Sequence, residues 1–591
     1  MNFRSFASLA AAFCATPREE SSSARGWSSI PAWQDYHVAG THVTCAPTNT
    51  NHARKVRRLT HLPLVILLIA ALCAAPRAAA QAPQSLGLDP AVLLNPPTDT
   101  WPTYNGDYTG RRYSTLDQIN QKNIASLTLA WAFSTRGLNL KSTPLEVSGI
   151  LYFSSPDHVW AVDARLGREI WHYETKTEGG KIGHRGVAMW KDYLYFETGD
   201  AHLVSLNAKD GKERWTIELA DAKLGYFATM APLVIRDHVL AGVSGDSTDI
   251  RGLLRSIDPE TGAIQWTWYI DPDPGAPGSE TWPKDPEAML HGGGMTWMTG
   301  TYDPALNLVY WGTGNPNPVM VGDLRPGDNL YTCSIVALNP DTGKLVWYFQ
   351  PSPHDVHDWD AVQTPILIDG EFRGKPRKLL AQASRNGFFV VLDRITGEHL
   401  LTSPFIETTW SKGIDERGRP IADPQANPTP AGSLAAPGSD GATNWMSPSF
   451  SLQTNLFYVN AHRLFSIYYR TVDGKVEGWG GRDQNLWGNS TLRALDYKTG
   501  KVVWNHEIGE GEAFTGMMTT AGHLLFGGDT TGNLLALDPA TGKTLWHLNL
   551  GGNITSSPMT YQLDGRQYVV VAVHDHFYAF SLPPTAIKSG K

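Results

Sequence analysis

Leu537-Asp-Pro-Ala-Thr-Gly-Lys-Thr-Leu-Trp546 decides the architecture of this chain, because it recurs. It returns as L-D-Y-K-T-G-K-V-V-W at Leu495–Trp504, L-N-P-D-T-G-K-L-V-W at Leu338–Trp347 and I-D-P-E-T-G-A-I-Q-W at Ile257–Trp266. Earlier copies are L-N-A-K-D-G-K-E-R-W at Leu206–Trp215 and A-V-D-A-R-L-G-R-E-I-W at Ala161–Trp171, and a weaker one, L-D-R-I-T-G-E-H-L-L, ends at Leu401. Each copy predicts strand, tight turn, strand. Apolar residues alternate before the Asp or Asn, as in N-L-L-A-L-D at Asn533–Asp538. The Asp or Asn closes the turn with its own side chain, and Gly supplies the positive φ the return requires.

One hairpin cannot bury its Trp, whereas a ring of neighbouring sheets can dock each Trp against the next. Trp131, in L-T-L-A-W, stands 40 residues before Trp171, where a first copy's Trp would fall. With it, the series is Trp131, Trp171, Trp215, Trp266, Trp347, Leu401, Trp504 and Trp546. Fixed-period self-similarity of this length predicts an all-β fold, an eight-bladed β-propeller with tryptophan-docking repeats. The long intervals, 266 to 347 and 401 to 504, must carry insertions. The C-terminal strands around R-Q-Y-V-V-V-A-V and H-F-Y-A-F-S-L are expected to close the ring with the N-terminal segment.

Composition narrows the function. The chain has 591 residues and a net charge of −8, and its first 80 residues hold 8 Lys/Arg against 3 Asp/Glu. The rest is therefore clearly acidic, which argues against nucleic acid as a partner. Residues 1–53 resemble no domain and read as an unstructured extension or a mis-called translation start. Residues 54–80 read as a signal peptide: Arg54, Lys55, Arg57 and Arg58 precede the apolar run Leu62–Ala75, and Ala78-Ala79-Ala80 gives a cleavage site before Gln81. A periplasmic protein with no transmembrane anchor in its mature form is expected, with 81–96 as linker and 97–591 as propeller. Cys333 alone follows the leader, so no internal disulfide is expected, and no C-x-x-C-H is present to carry covalent haem. Ile421–Gly441, rich in Pro, Gly and Ser, reads as a surface loop.

The densest polar cluster is P-S-P-H-D-V-H-D-W-D, Pro351–Asp360. Asp355, Asp358 and Asp360 repel one another unless something neutralises them. They read either as a solvated acidic loop or as an oxygen-rich site for a hard cation. Asn315 in G-T-G-N-P-N-P and Asp246 and Asp249 in V-S-G-D-S-T-D-I-R-G are further oxygen donors. Trp297 ends H-G-G-G-M-T-W out of phase with the repeat, after glycines that admit a flat group. Arg185 and Arg385 lie beside apolar strands, where a cation needs an anion from the protein or from a ligand.

Together these residues carry a resemblance. W-P-T-Y-N-G-D-Y-T-G-R-R-Y-S-T-L-D-Q-I-N at Trp101–Asn120, G-T-G-N-P-N-P, R-N-G-F-F-V-V-L-D-R and the loop P-H-D through D-W-D resemble the quinoprotein alcohol dehydrogenases, over nearly everything from Trp101 to Leu582. The resemblance is to members without a fused cytochrome c domain. It implies pyrroloquinoline quinone (PQQ) and a metal, calcium or a lanthanide, as cofactors. It implies an alcohol as substrate and a separate cytochrome c or quinone as electron acceptor. Asp358 would be the general base, and metal-assisted hydride transfer to PQQ the chemistry. Trp297 would stack on the quinone; Arg185, Arg385, Thr229, Ser244, Gly245 and Asn444 would contact it. Asn315 and Asp358 would bind the metal.

The pattern also departs from the family. The adjacent cysteines expected near Gly179-Gly180 are absent. Lys141 stands where many members have Glu, and would meet a PQQ carboxylate. Met295 replaces a usual Thr, and Phe514 a common Trp. The family's ligand Glu aligns with Ser247, leaving Asp246 or Asp249 as the substitute, while Asp360 resembles the extra carboxylate of lanthanide-using members. A non-catalytic scaffold of the outer-membrane assembly type shares the Trp repeat and is the competing reading; Asp358, Asn315, Arg385 and Trp297 argue against it.

Overall fold

A computed structural model describes residues 87–180, 182–245, 248–472 and 479–584. The expected extension and signal peptide lie outside the described residues.

The repeat folds as its turn chemistry dictates. Asp538 Oδ1 accepts the backbone N–H of Ala540, and the Gly542 N–H returns to the Asp538 carbonyl. The flanking strands Asn533–Leu537 and Thr544–Asn549 pair antiparallel, with a register shift just before Trp546. Eight antiparallel sheets of this kind recur among the described residues, each with four strands; one gains a fifth, parallel strand from Tyr113–Ser114. The fold is an all-β propeller type. Trp131, Trp171, Trp215, Trp266, Trp347, Leu401, Trp504 and Trp546 each lie on the outermost strand of a different sheet.

Docking between sheets follows one rule. The indole N–H of Trp171 donates to the Ala208 carbonyl (2.9 Å), of Trp266 to Pro340 (2.7 Å), of Trp347 to Arg394 (3.2 Å) and of Trp504 to Pro539 (3.0 Å). Each acceptor is the residue after the turn Asp or Asn of the next copy. The turn glycine then lies flat on the incoming ring. Gly542 has φ +71°, and a Cβ there would sit 2.6 Å from Trp504; Gly211, at φ +70°, stands likewise on Trp171. The motif's Gly thus serves the turn and the docking at once. Where Leu401 replaces Trp, it packs near Gly500.

The ring closes through the termini, as the strand pattern predicts: Thr128–Ser134 pairs antiparallel with His576–Ser581. The long intervals carry insertions. Between Leu401 and Trp504 stand a two-stranded sheet, Ser411–Ile414 with Pro420–Ala422, and a three-stranded one built from Ser433–Ala435, Ser466–Arg470 and Gly481–Asn485. Ile421–Gly441 is therefore not simply a surface loop. It contributes two strands and a short 3-10 helix, and its buried end, Ala435–Ser439, reaches the cavity described next. No helix among the described residues is long and apolar enough to cross a membrane.

Candidate functional site

Loops from several sheets enclose a cavity of about 310 Å³, at the small end of the roughly 300–1,000 Å³ usual for small-molecule sites. Lys141, Arg185, Thr229, Ser244 and Trp297 line one part of it, and Asp358, Asp360, Arg385 and Asn444 another. The sequence therefore named most of the wall.

The loop Pro351–Asp360 sorts its three carboxylates. Asp355 turns into the protein, where its Oδ2 accepts the backbone N–H groups of His357, Asp358 and Trp359 at 3.3, 2.9 and 3.1 Å. It shapes the loop and holds Asp358 at φ +69°. His357 is also structural: its ring stacks on Trp359 at 4.2 Å, its Nε2 meets the Ala426 carbonyl, and burial pulls its pKa down to about 4. Asp358 and Asp360 are left to face the cavity.

One guanidinium spans these two. Arg385 Nη1 donates to Asp360 Oδ2 and Nη2 to Asp358 Oδ2, each at 3.0 Å, and Nη2 also donates to the Ser439 carbonyl. All three side chains are buried, so the fork geometry of arginine is what lets two carboxylates coexist here. Asp360 Oδ2 also accepts the Trp297 indole N–H at 2.8 Å, and its Oδ1 the Asn315 backbone N–H at 2.7 Å. Burial raises the Asp360 pKa, against the pull of Arg385 and these two donors. Trp297, outside every strand, is thus held at its edge with a face toward the cavity wall.

The Asn315 amide puts one terminal atom 3.0 Å from Asp358 Oδ1 and 3.1 Å from Asp360 Oδ1. With nitrogen there, it donates to both. With oxygen there, three oxygens converge, and only a cation reconciles them. That all-oxygen donor set suits a hard ion.

Arg185 supplies the opposite condition. It is buried, its Nη1 donates to Thr229 Oγ1 (2.5 Å), and its Nε has no hydrogen-bond partner among the described residues. Its charge lies 4.6 Å from the Trp297 ring centre and 5.9 Å from that of Trp445. Burial lowers its pKa to about 10. A desolvated cation so placed calls for an anion. Lys141 extends beside it, 5.4 Å from the Trp445 ring centre, its pKa lowered by burial and then by Arg185.

Some expected residues fall elsewhere. Gly245 lies behind Ser244, not on the cavity wall. Asp249 lines a separate surface recess, where its carbonyl meets His291 Nδ1 at 2.7 Å, so it is not brought to Asn315 and Asp358. Asp246 lies outside the described residues. Sequence reasoning also missed residues. Glu512 and Asp440 line the cavity, and burial, then Asp440, pushes the Glu512 pKa up to about 8. Both stand in ordinary Gly-rich turns, and nothing local marks them.

Comparison with known proteins agrees with the fold and the cavity. The sequence matches the PQQ glucose/ethanol/alcohol dehydrogenase beta-propeller domain over residues 101–409 and 507–569. The chain therefore belongs to the PQQ-dependent, or quinoprotein, alcohol dehydrogenase family. It is 37% identical over 522 residues to a quinohemoprotein alcohol dehydrogenase of Comamonas testosteroni, covering 80% of this chain and 73% of that one. It is 36% identical over 502 residues to the quinoprotein alcohol dehydrogenase PedH of Pseudomonas putida, covering 78% and 84%. Among solved structures, a europium-containing methanol dehydrogenase superposes with a TM-score of 0.78 at 31% identity, covering 83% of this chain and 99% of that one.

Proposed function

We propose that this protein is a periplasmic PQQ-dependent dehydrogenase that oxidises an alcohol, with metal assistance, on an eight-bladed propeller whose blades are the eight repeated sheets. The observation that carries the site assignment is the Arg385 fork, which sets Asp358 and Asp360 side by side next to Asn315 and the Trp297 indole. A scaffold has no use for two buried carboxylates aimed into a cavity.

The residues present fit the implied groups. A flat tricarboxylate matches Trp297 as a plate, with Arg185 and Lys141 as cations that lack a carboxylate at ion-pair distance among the described residues. Asn315, Asp358 and Asp360 would hold calcium or a lanthanide. Thr229, Ser244 and Asn444 would offer hydrogen bonds from the cavity wall. PQQ, when bound, supplies the two-electron acceptor for the hydride that the carbinol carbon loses. Asp358 would take the hydroxyl proton, its carboxylate oriented for that task by Arg385 Nη2 at 3.0 Å from Oδ2. Arg385 and Trp297 fix Asp360, so the base and the ring plate move as one unit. The sequence carries no C-x-x-C-H, so electrons would leave to a separate cytochrome c or quinone.

The test is reconstitution of the apo-protein with PQQ and Ca²⁺ or La³⁺, followed by dye reduction across a panel of alcohols. Metal-dependent turnover is expected, with Asp358→Asn reducing kcat at least about a hundredfold, as removal of a general base does. Full activity in Asp358→Asn, or in chelator with neither ion, would overturn the assignment.

A further inference from the structure

Gly179 and Gly180 stand where the resemblance to the family implies adjacent cysteines, joined as a covalent cover over the quinone. The structure shows why no disulfide-bearing pair fits. A Cβ on Gly179 would lie 1.5 Å from the Gly199 carbonyl oxygen, and one on Gly180 would lie 2.8 Å from the ring of Phe227. The space a Gly180 side chain would need is already taken by an aromatic side chain from the segment before the strand Leu233–Ile235.

Phe227 is built into position. Its N–H donates to the Ser244 carbonyl at 3.2 Å, and the Ser244 N–H donates back to its carbonyl at 2.7 Å. Ser244 itself lines the cavity, so this short ladder fixes the aromatic ring relative to the wall. Phe227 is half-buried and faces the same cavity as Trp297. Two residues before Gly179, Thr177 Oγ1 donates to Asp157 Oδ1 at 2.6 Å. Downstream, Gly183 leaves room for the Lys141 stem: a Cβ there would sit 2.6 Å from Lys141 Cδ.

We propose that Phe227 is the second aromatic plate of the cofactor cavity, packing on the ring face turned away from Trp297 in place of a covalent cover. The inference rests on the PQQ reading above. A flat conjugated ring between two aromatic plates gains offset-stacking contacts that an aliphatic wall does not give. A cover made by a phenyl ring is also indifferent to thiol reductants.

The experiment is an absorbance titration of PQQ into the apo-protein with metal present, plus the rate of PQQ release on dilution. Phe227→Ala should weaken PQQ binding about tenfold and speed its release. Phe227→Tyr, which keeps the ring, should stay near wild type. Phe227→Leu, which keeps an apolar side chain and protects folding, should fall between. Wild-type affinity and release in both the Ala and the Leu variants would overturn the plate while leaving the cofactor reading intact. Failure of the wild-type protein to take up any PQQ would overturn the cofactor reading and the plate with it.

Discussion

Replacing Asp360 with Asn separates the two tasks this residue is given. Asp360 is 1% exposed and accepts three donors: Asn315 N at Oδ1, and Trp297 Nε1 and Arg385 Nη1 at Oδ2. An amide of the same shape has one oxygen. Turned one way, its NH₂ faces the Asn315 N–H; turned the other, it faces Trp297 and Arg385. A buried donor left unpaired costs about 1–3 kcal/mol, and losing one partner of a buried ion pair about 3–5 kcal/mol. Arg385 keeps Asp358, so about 3 kcal/mol is expected in the apo-protein. Unfolding entropy of roughly 2.1 cal/mol/K per residue over some 500 residues converts this to a Tm fall of about 3 °C. The metal task is read separately, by titrating Tb³⁺ luminescence and competing with Ca²⁺. Losing a charged ligand should weaken the trivalent ion at least about a hundredfold, and calcium less. Wild-type affinity for both ions, with a Tm shift under about 1 °C, would refute both roles.

Arg185→Gln should split stability from binding. The apo-protein loses a buried cation that has no carboxylate at ion-pair distance among the described residues and should melt no lower than wild type, while PQQ affinity falls at least about tenfold; a lower Tm with unchanged affinity would contradict this. Glu512→Gln should flatten the pH dependence of apo-protein stability. The folded-state pKa of about 8 lies above the ordinary 4.5. The folded chain therefore keeps a proton that the unfolded chain has released, and stability falls as pH rises from 4.5 through 8. The variant should lose Glu512's share of that fall, leaving the shares of the other carboxyls that burial raises, Glu146, Glu197, Asp271, Asp355 and Asp360. Parallel Tm–pH curves for variant and wild type would refute it.

The fold was legible because one residue pattern does two jobs that cannot be separated. The turn needs Gly for its φ, and the docked indole needs the same Gly for lack of a Cβ, so both constraints print the same letter at every copy. Legibility fades where one constraint is met otherwise. Trp215 makes no indole hydrogen bond among the described residues; the Pro259 carbonyl it would use holds Tyr195 Oη, as the equivalent carbonyls hold a Tyr beside their Trp, and in addition Arg214 Nη1. Trp546 meets Phe580 edge-on instead of a turn glycine. The insertions, lacking any period, showed in the sequence only as intervals that were too long.

The site was legible in its residue types but not in its partnerships. Asp355, Asp358 and Asp360 look alike in sequence, and only the three backbone N–H groups around Asp355 separate the loop-former from the two acids that face the cavity. Asp440 and Glu512 could not be named at all, yet they change the electrostatic argument. Four carboxyl groups and three basic side chains line the cavity. With Glu512 protonated, as its raised pKa allows at neutral pH, these charges cancel. A bound tricarboxylate would then leave three negative charges in a poorly solvated site, and a low-dielectric interior penalises such an excess heavily. A divalent ion offsets two of them and a trivalent ion all three. On the proposed reading, the oxygen cluster of Asn315, Asp358 and Asp360 and a proton on Glu512 would act together, and the cavity would accept its anionic cofactor through both.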